Sequence, residues 1–201
     1  MTLPHAHCYK ENGKDRFSQI CDISSEETAF RLSGIFETLK VPHSIVTSKQ
    51  NRSVVDDNRK ESEFKSPLHA AVKKNLDKTL CILDIHSFYE NAFAMFPDIK
   101  QLDGHDPNKS VLVIFTTGND SCNDALYYFL KRRHPDIPIA LVLTPDLVFI
   151  LKHYIEKHKV PTYMFEFAEF LTIPQELLES IGLYFKNHVI GLYNFFKESK
   201  I

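Results

Sequence analysis

Leu80-Cys81-Ile82-Leu83-Asp84-Ile85-His86-Ser87 is an apolar run of strand length that ends in a polar Asp-x-His-Ser. In an open parallel sheet the crevice beyond the carboxyl ends of the strands is where ligands bind. A histidine delivered there can serve as a metal ligand or a base. His86 is therefore the first candidate functional residue, carried by a strand expected over Thr79 to Ile85.

Outward from this strand, short β-rich runs alternate with helical patterns, which predicts an α/β fold: a mostly parallel central sheet flanked by helices in three layers. The expected strands are residues 1–6, His43 to Ser48, Val111 to Phe115, Ile139 to Leu143 and Tyr163 to Phe167. A helix is expected from Ser25 to Lys40, with Ala29, Leu32, Ile35, Phe36 and Leu39 on one face and Ser24 and Glu27 at capping-box spacing. Ser66-Pro67, Asp120-Ser121 and Thr144-Pro145 read as further helix starts, serine or threonine capping where proline can open the first turn. From Pro174 a long amphipathic helix carries Leu177, Leu178, Ile181, Tyr184, Phe185, Leu192 and Phe196, a stripe that covers a sheet face. Lys49 to Ser66 is polar, charge-dense loop.

The chain has 201 residues, a size at which one domain removes about 70% of its unfolded surface from water without disulfides, so a single domain over 1–201 is expected. A net charge of −2 gives no general attraction to nucleic acid or to an anionic membrane. The longest apolar stretches fall far below the roughly 20 residues of a membrane-spanning helix. Cys8, Cys21, Cys81 and Cys122 show no CxxC spacing, and the start of the chain lacks the pattern of a cleaved export signal. The expected compartment is the reducing cytoplasm. His134, His153, His158 and His188 fall in helical or turn contexts, where solvated histidine is the expectation.

Four polar constellations fall at strand ends or in adjoining loops: Pro4-His5-Ala6-His7, Asn51-Arg52 with Asp56-Asp57-Asn58-Arg59, Asp84-x-His86-Ser87, and Phe165-Glu166-Phe167. Parallel strands bring their carboxyl ends to one edge, so His5, His86 and Glu166 converge there. Two imidazoles and a carboxylate suit zinc and leave a position for water. A glutamate beside that water can act as general base. Asp84, on the same face as His86, can fix the imidazole tautomer. Arg59 beside Asn58 can grip a substrate carboxylate through paired charge-assisted bonds, although composition alone describes a charged, solvated loop. Period-two alternation places His5 and His7 on the same face and leaves open whether His7 joins the metal.

In order along the chain, Pro4-His5, then Asn51-Arg52-Ser53-Val54-Val55-Asp56-Asp57-Asn58-Arg59, then Leu83-Asp84-Ile85-His86-Ser87, then Tyr163-Met164-Phe165-Glu166 resemble the motifs of the N-formylglutamate amidohydrolase family. The turn Gly118-Asn119-Asp120-Ser121-Cys122-Asn123 is similar to a glycine- and cysteine-containing turn of that family. The resemblance implies the phosphorylase/hydrolase-like fold of zinc carboxypeptidases and a zinc-dependent hydrolase that cuts an amide bond. Carried over by position, His5 and His86 are metal ligands, Glu166 the general base, and Asn58 and Arg59 the carboxylate clamp, with Arg52 polarising the scissile carbonyl. It implies a third, acidic ligand near the start of the first helix, for which Asp22 is the choice and Glu26 or Glu27 the substitutes. This chain departs from the family pattern after Pro4-His5, where the family's glycine is missing from Ala6-His7, and at Met164, where the family has glutamine.

The expected function is hydrolysis of an N-acyl amino acid or short peptide bearing a carboxylate. The alternative is a binding or regulatory module that keeps the fold without catalysis. The joint presence of His5, His86, Glu166 and Arg59 argues against that alternative, since packing alone does not require all four.

Overall fold

The structure is a computed structural model, and it describes residues 1–4, 22, 24–48, 57, 66–96, 99–118, 121–143, 149–189 and 191. In chain order the main elements are β1 (Thr2–Leu3), α1 (Ser25–Thr38), β2 (Val46–Thr47), α2 (Pro67–Lys74), β3 (Ile82–Phe88) and β4 (Lys100–Gln101). They continue with β5 (Leu112–Thr116), α3 (Ser121–Arg133), β6 (Ile139–Leu143), α4 (Phe149–His158), β7 (Thr162–Ala168) and α5 (Gln175–Tyr184), whose last turn widens into a π-helical segment, Phe185–Val189.

The seven strands form one sheet in the order β2-β1-β3-β7-β5-β6-β4. Four of its pairings are parallel, while β5 runs antiparallel to β7 and β4 antiparallel to β6. The sheet is thus mixed but mostly parallel, and it lies between two helical layers. Alternation sorts its side chains cleanly. Leu3, Leu83, Ile85, Leu112, Ile114, Ile139, Leu141, Phe165 and Phe167 face one way and pack with Ala29, Leu32 and Phe36 of α1, Leu126 and Leu130 of α3, and Leu177, Leu178 and Ile181 of α5. On the opposite face Ile82 packs with Leu68 and Val72 of α2 and with Ile150 and Tyr154 of α4. A separate apolar cluster on that face joins Phe88, Phe93, Val113, Phe115, Ala140, Val142, Met164 and Ala168.

Burial on both faces explains why β5 and β6 read as near-continuous apolar runs. The central strand is displaced from its expected span. β3 begins at Ile82 and runs to Phe88, because its parallel ladder with β7 continues through Phe88↔Ala168, and Leu80 stays exposed outside it. His86 and Ser87 therefore lie inside the strand rather than beyond its end.

The first helix also differs from expectation at its start. Ser24 adopts αR geometry (φ −96°, ψ 0°) and makes no side-chain capping bond. The extended conformation that aims an N-cap oxygen at the first-turn amides is absent, so no capping box forms. At α2 the expected cap is present: Ser66 Oγ accepts the His69 N–H at 3.3 Å, with Pro67 opening the helix. The strand expected over His43 to Ser48 is reduced to Val46–Thr47. Residues 5–6 of the expected first strand, the Asp120 and Thr144-Pro145 starts, and Leu192 and Phe196 lie outside the described residues. No helix among the described residues is long and apolar enough to cross a membrane.

Candidate active site

Asp84 and His86 interrupt the otherwise apolar β3, both project to the same face, and both are buried. Buried polar groups must find partners, and here they find one another. Thr2 Oγ1 donates to Asp84 Oδ1 at 2.6 Å, and His86 Nε2 donates to Asp84 Oδ2 at 3.1 Å. His86 Nδ1 faces Asp22 Oδ2 at 2.7 Å. The parallel pairing of β1 with β3 sets Thr2 opposite Asp84, which is why a two-residue strand can supply the first donor.

Burial alone would pull the His86 pKa down. The charges of Asp84 and Asp22, together with hydrogen bonds to both, outweigh that penalty and hold it well above its ordinary value. Each ring nitrogen faces a carboxylate oxygen, an arrangement that favours the protonated ring over the neutral one in the metal-free chain.

Asp22 reaches His86 from the segment that enters α1. Its carbonyl accepts the Ser25 N–H at 3.3 Å and the Ser25 hydroxyl at 2.8 Å, so its main chain is tied to the first helical turn. Of the three acids considered for this position, Asp22 is the buried one that meets His86, whereas Glu27 points to solvent on α1.

Glu166 sits directly across the ladder from His86 and, on its other side, across from Val113. Register therefore puts it on the face of Asp84 and His86, half-buried between Met164 and Ala168 of the apolar cluster. His5, His7, Arg52, Asn58 and Arg59 lie outside the described residues. Asp57, beside the expected clamp, is fully buried, which corrects the solvated-loop reading at that position. Its carbonyl oxygen is 2.8 Å from His69 Nε2. A carbonyl only accepts, so Nε2 donates there, while Nδ1 pairs with the Tyr154 hydroxyl at 3.0 Å. Asp57 is thereby fastened to α2 and α4 through a histidine that no motif singled out. His153 is likewise buried, edge-on to His69 and Tyr154, and not solvated as its helical context predicts.

The Gly118 turn lies at the other end of the sheet. Because β5 runs against β7, its carboxyl end adjoins the start of β7, and Asn123 Nδ2 donates to the Thr162 carbonyl there at 2.8 Å. Gly118 is required by local geometry, with φ +77° and an added Cβ only 2.9 Å from Leu143 Cδ1.

Among the described residues no group of three or more His, Cys, Asp or Glu forms a complete ligand set. The donor types that are present, imidazole nitrogen and carboxylate oxygen, are ones that zinc accepts. An imidazole nitrogen and a carboxylate oxygen converge at 2.7 Å, and the second imidazole nitrogen is braced by a further carboxylate.

No protein-family profile matches the chain. No curated protein matches it either. Among solved structures, an N-formylglutamate amidohydrolase from Ralstonia eutropha superposes with a TM-score of 0.63 at 12% identity, covering 94% of this chain and 92% of that one. The chain shares that protein's fold. A gene product of Agrobacterium tumefaciens aligns similarly, with a TM-score of 0.60 at 13% identity over 98% of this chain and 90% of its own. At these identities the likeness to the amidohydrolase is one of fold, and the chemistry has to be argued from the site.

Proposed function

We propose that the protein is a zinc-dependent hydrolase that cleaves an amide bond in a small carboxylate-bearing substrate, an N-acyl amino acid or short peptide. The contact of Asp22 with His86, braced from behind by Asp84 within an amidohydrolase-type fold, carries this reading. His86 through Nδ1, Asp22 and His5 would hold the metal. Zinc, when bound, supplies a Lewis acid at the attacked carbonyl and makes a nearby water acidic enough to attack at neutral pH.

The chain's own residues do the rest. Asp84 holds Nε2–H and so turns Nδ1 toward Asp22. Glu166, across from His86, takes the proton of the attacking water and returns it to the leaving nitrogen. Arg59 with Asn58 anchors the substrate carboxylate, and Arg52 steadies the developing oxyanion. His69 grips the carbonyl of Asp57, the residue that precedes Asn58 in sequence.

The test is metal content and equilibrium zinc uptake by untagged protein, beside His86→Ala and Asp22→Ala, followed by amine release from a panel of N-formyl and N-acetyl amino acids. About one zinc per chain in the wild type, lost in both variants, is the expected outcome. A wild-type chain that neither carries nor takes up zinc would refute the mechanism.

A further inference from the structure

Ser87 closes the Asp-x-His-Ser stretch, yet alternation turns it to the face opposite His86, toward α1. Its hydroxyl donates to Glu169 Oε1 at 2.6 Å and accepts the Ser24 N–H at 3.3 Å. A carboxylate only accepts, so the direction of the first bond is fixed and the hydroxyl's lone pairs are left for Ser24. Such a charge-assisted O–H···O⁻ bond is roughly twice as strong as a neutral one. Glu169 lies just past β7 with its own N–H on the Phe88 carbonyl at 2.9 Å, so the pair spans the ends of β3 and β7.

The path of the chain gives this contact its significance. Asp22 meets His86 on one face of the sheet, and two residues later Ser24 meets Ser87 on the other. Asp22 and Ser24 thus stand on opposite faces at the end of the sheet. Ser24 makes no capping bond with its own side chain, so the Ser87 bond takes over in fixing where α1 begins.

We propose that Ser87 and Glu169 are positioning residues: they hook the first turn of α1 over the end of the sheet and thereby hold Asp22 against His86. The consequence for metal affinity rests on the zinc reading above, whereas the hook itself does not.

The experiment uses the full chain as wild type, Ser87→Ala, Ser87→Thr and Glu169→Gln. It reads three quantities: hydrogen exchange at the Ser24 and Ser25 amides and the NMR signal of the His86 Nδ1–H, both in chelator-treated protein, and zinc affinity by competition with a chromophoric chelator. Ser87→Ala and Glu169→Gln are expected to speed exchange at Ser24 and Ser25 about 10-fold while leaving β5 and β6 protected, to abolish the His86 Nδ1–H signal, and to weaken zinc about 10-fold. Ser87→Thr, which keeps the hydroxyl, restores all three. Unchanged exchange and a persistent His86 signal in Ser87→Ala and Glu169→Gln would overturn the proposal. So would zinc affinity that stays at the wild-type value in a chain that binds zinc. If the wild type binds no zinc, the hydrolase reading falls, and the exchange and His86 readouts still decide the hook.

Discussion

Replacing Asp84 by alanine removes the acceptor of two buried donors at once, Thr2 Oγ1 at 2.6 Å and His86 Nε2 at 3.1 Å, and leaves His86 with Asp22 as its carboxylate partner. Leaving two buried donors unsatisfied, one of them on the His86 ring, costs about 3–5 kcal/mol. For a chain of this length that corresponds to roughly 6–20 °C in Tm. Asp84→Asn keeps one carbonyl acceptor and should cost about half as much. The double variant Asp84→Leu/His86→Leu removes the pair together, and its cost should fall below the sum of the single leucine variants by about 1–3 kcal/mol. The assay is urea unfolding of the chelator-treated protein. Repeating it across pH adds a sign test. The folded His86 pKa lies above its ordinary 6.5, so its stabilisation is complete below about pH 6.5 and is lost as pH rises through the folded value. The gap between wild type and Asp84→Ala should therefore narrow toward alkaline pH. A cost for Asp84→Ala under about 1 kcal/mol, or strict additivity in the double variant, would refute the coupled buried cluster.

Glu166→Gln should retain zinc yet lower amide hydrolysis about 100- to 10,000-fold, as removal of a general base does; equal loss of metal and activity would make it a ligand instead. Burial pushes the Cys81 thiol up to about 12, so at pH 9 roughly one molecule in a thousand carries the reactive thiolate. Iodoacetamide should accordingly leave the Cys81 peptide unmodified in the native protein and label it in urea, as peptide mass mapping would report. Gly118→Ala meets both a positive φ and Leu143 Cδ1 at 2.9 Å, and should destabilise by about 1–3 kcal/mol in the same unfolding assay with little effect on zinc content.

Much of the fold was legible because buried strands write themselves as apolar runs. Ile139–Leu143 was readable to the residue, and the stripe of Leu177, Leu178 and Ile181 packs where a helix over one face must. Strand direction was not legible: an apolar run looks the same whether its neighbour is parallel or antiparallel, so the reversal of β5 against β7, and with it the remote position of the Gly118 turn, appears only in the structure. Lys100–Gln101 left no trace in the pattern, because an exposed two-residue strand has no buried face to mark. At the site, His86 and Asp84 stood out as polar residues in an apolar run. Thr2 and Glu169 did not, since their significance comes from register across strands rather than from neighbours in sequence. The end of β3 was misplaced because Asp-x-His-Ser looks like a boundary until its polar groups are seen to be satisfied indoors.

Among the described residues the sheet finishes at either rim in a strand of only two residues, Val46–Thr47 on one side and Lys100–Gln101 on the other. Each rim offers too few free amides and carbonyls to template a foreign strand, and at β4 an exposed lysine makes docking there costlier still. The interior strands can thus be as greasy as Leu112–Thr116 and Ile139–Leu143 without inviting molecules to stack sheet against sheet. The same arrangement predicts where trouble would start: lengthening β4 with β-branched residues and removing Lys100 would turn a closed border into a sticky one.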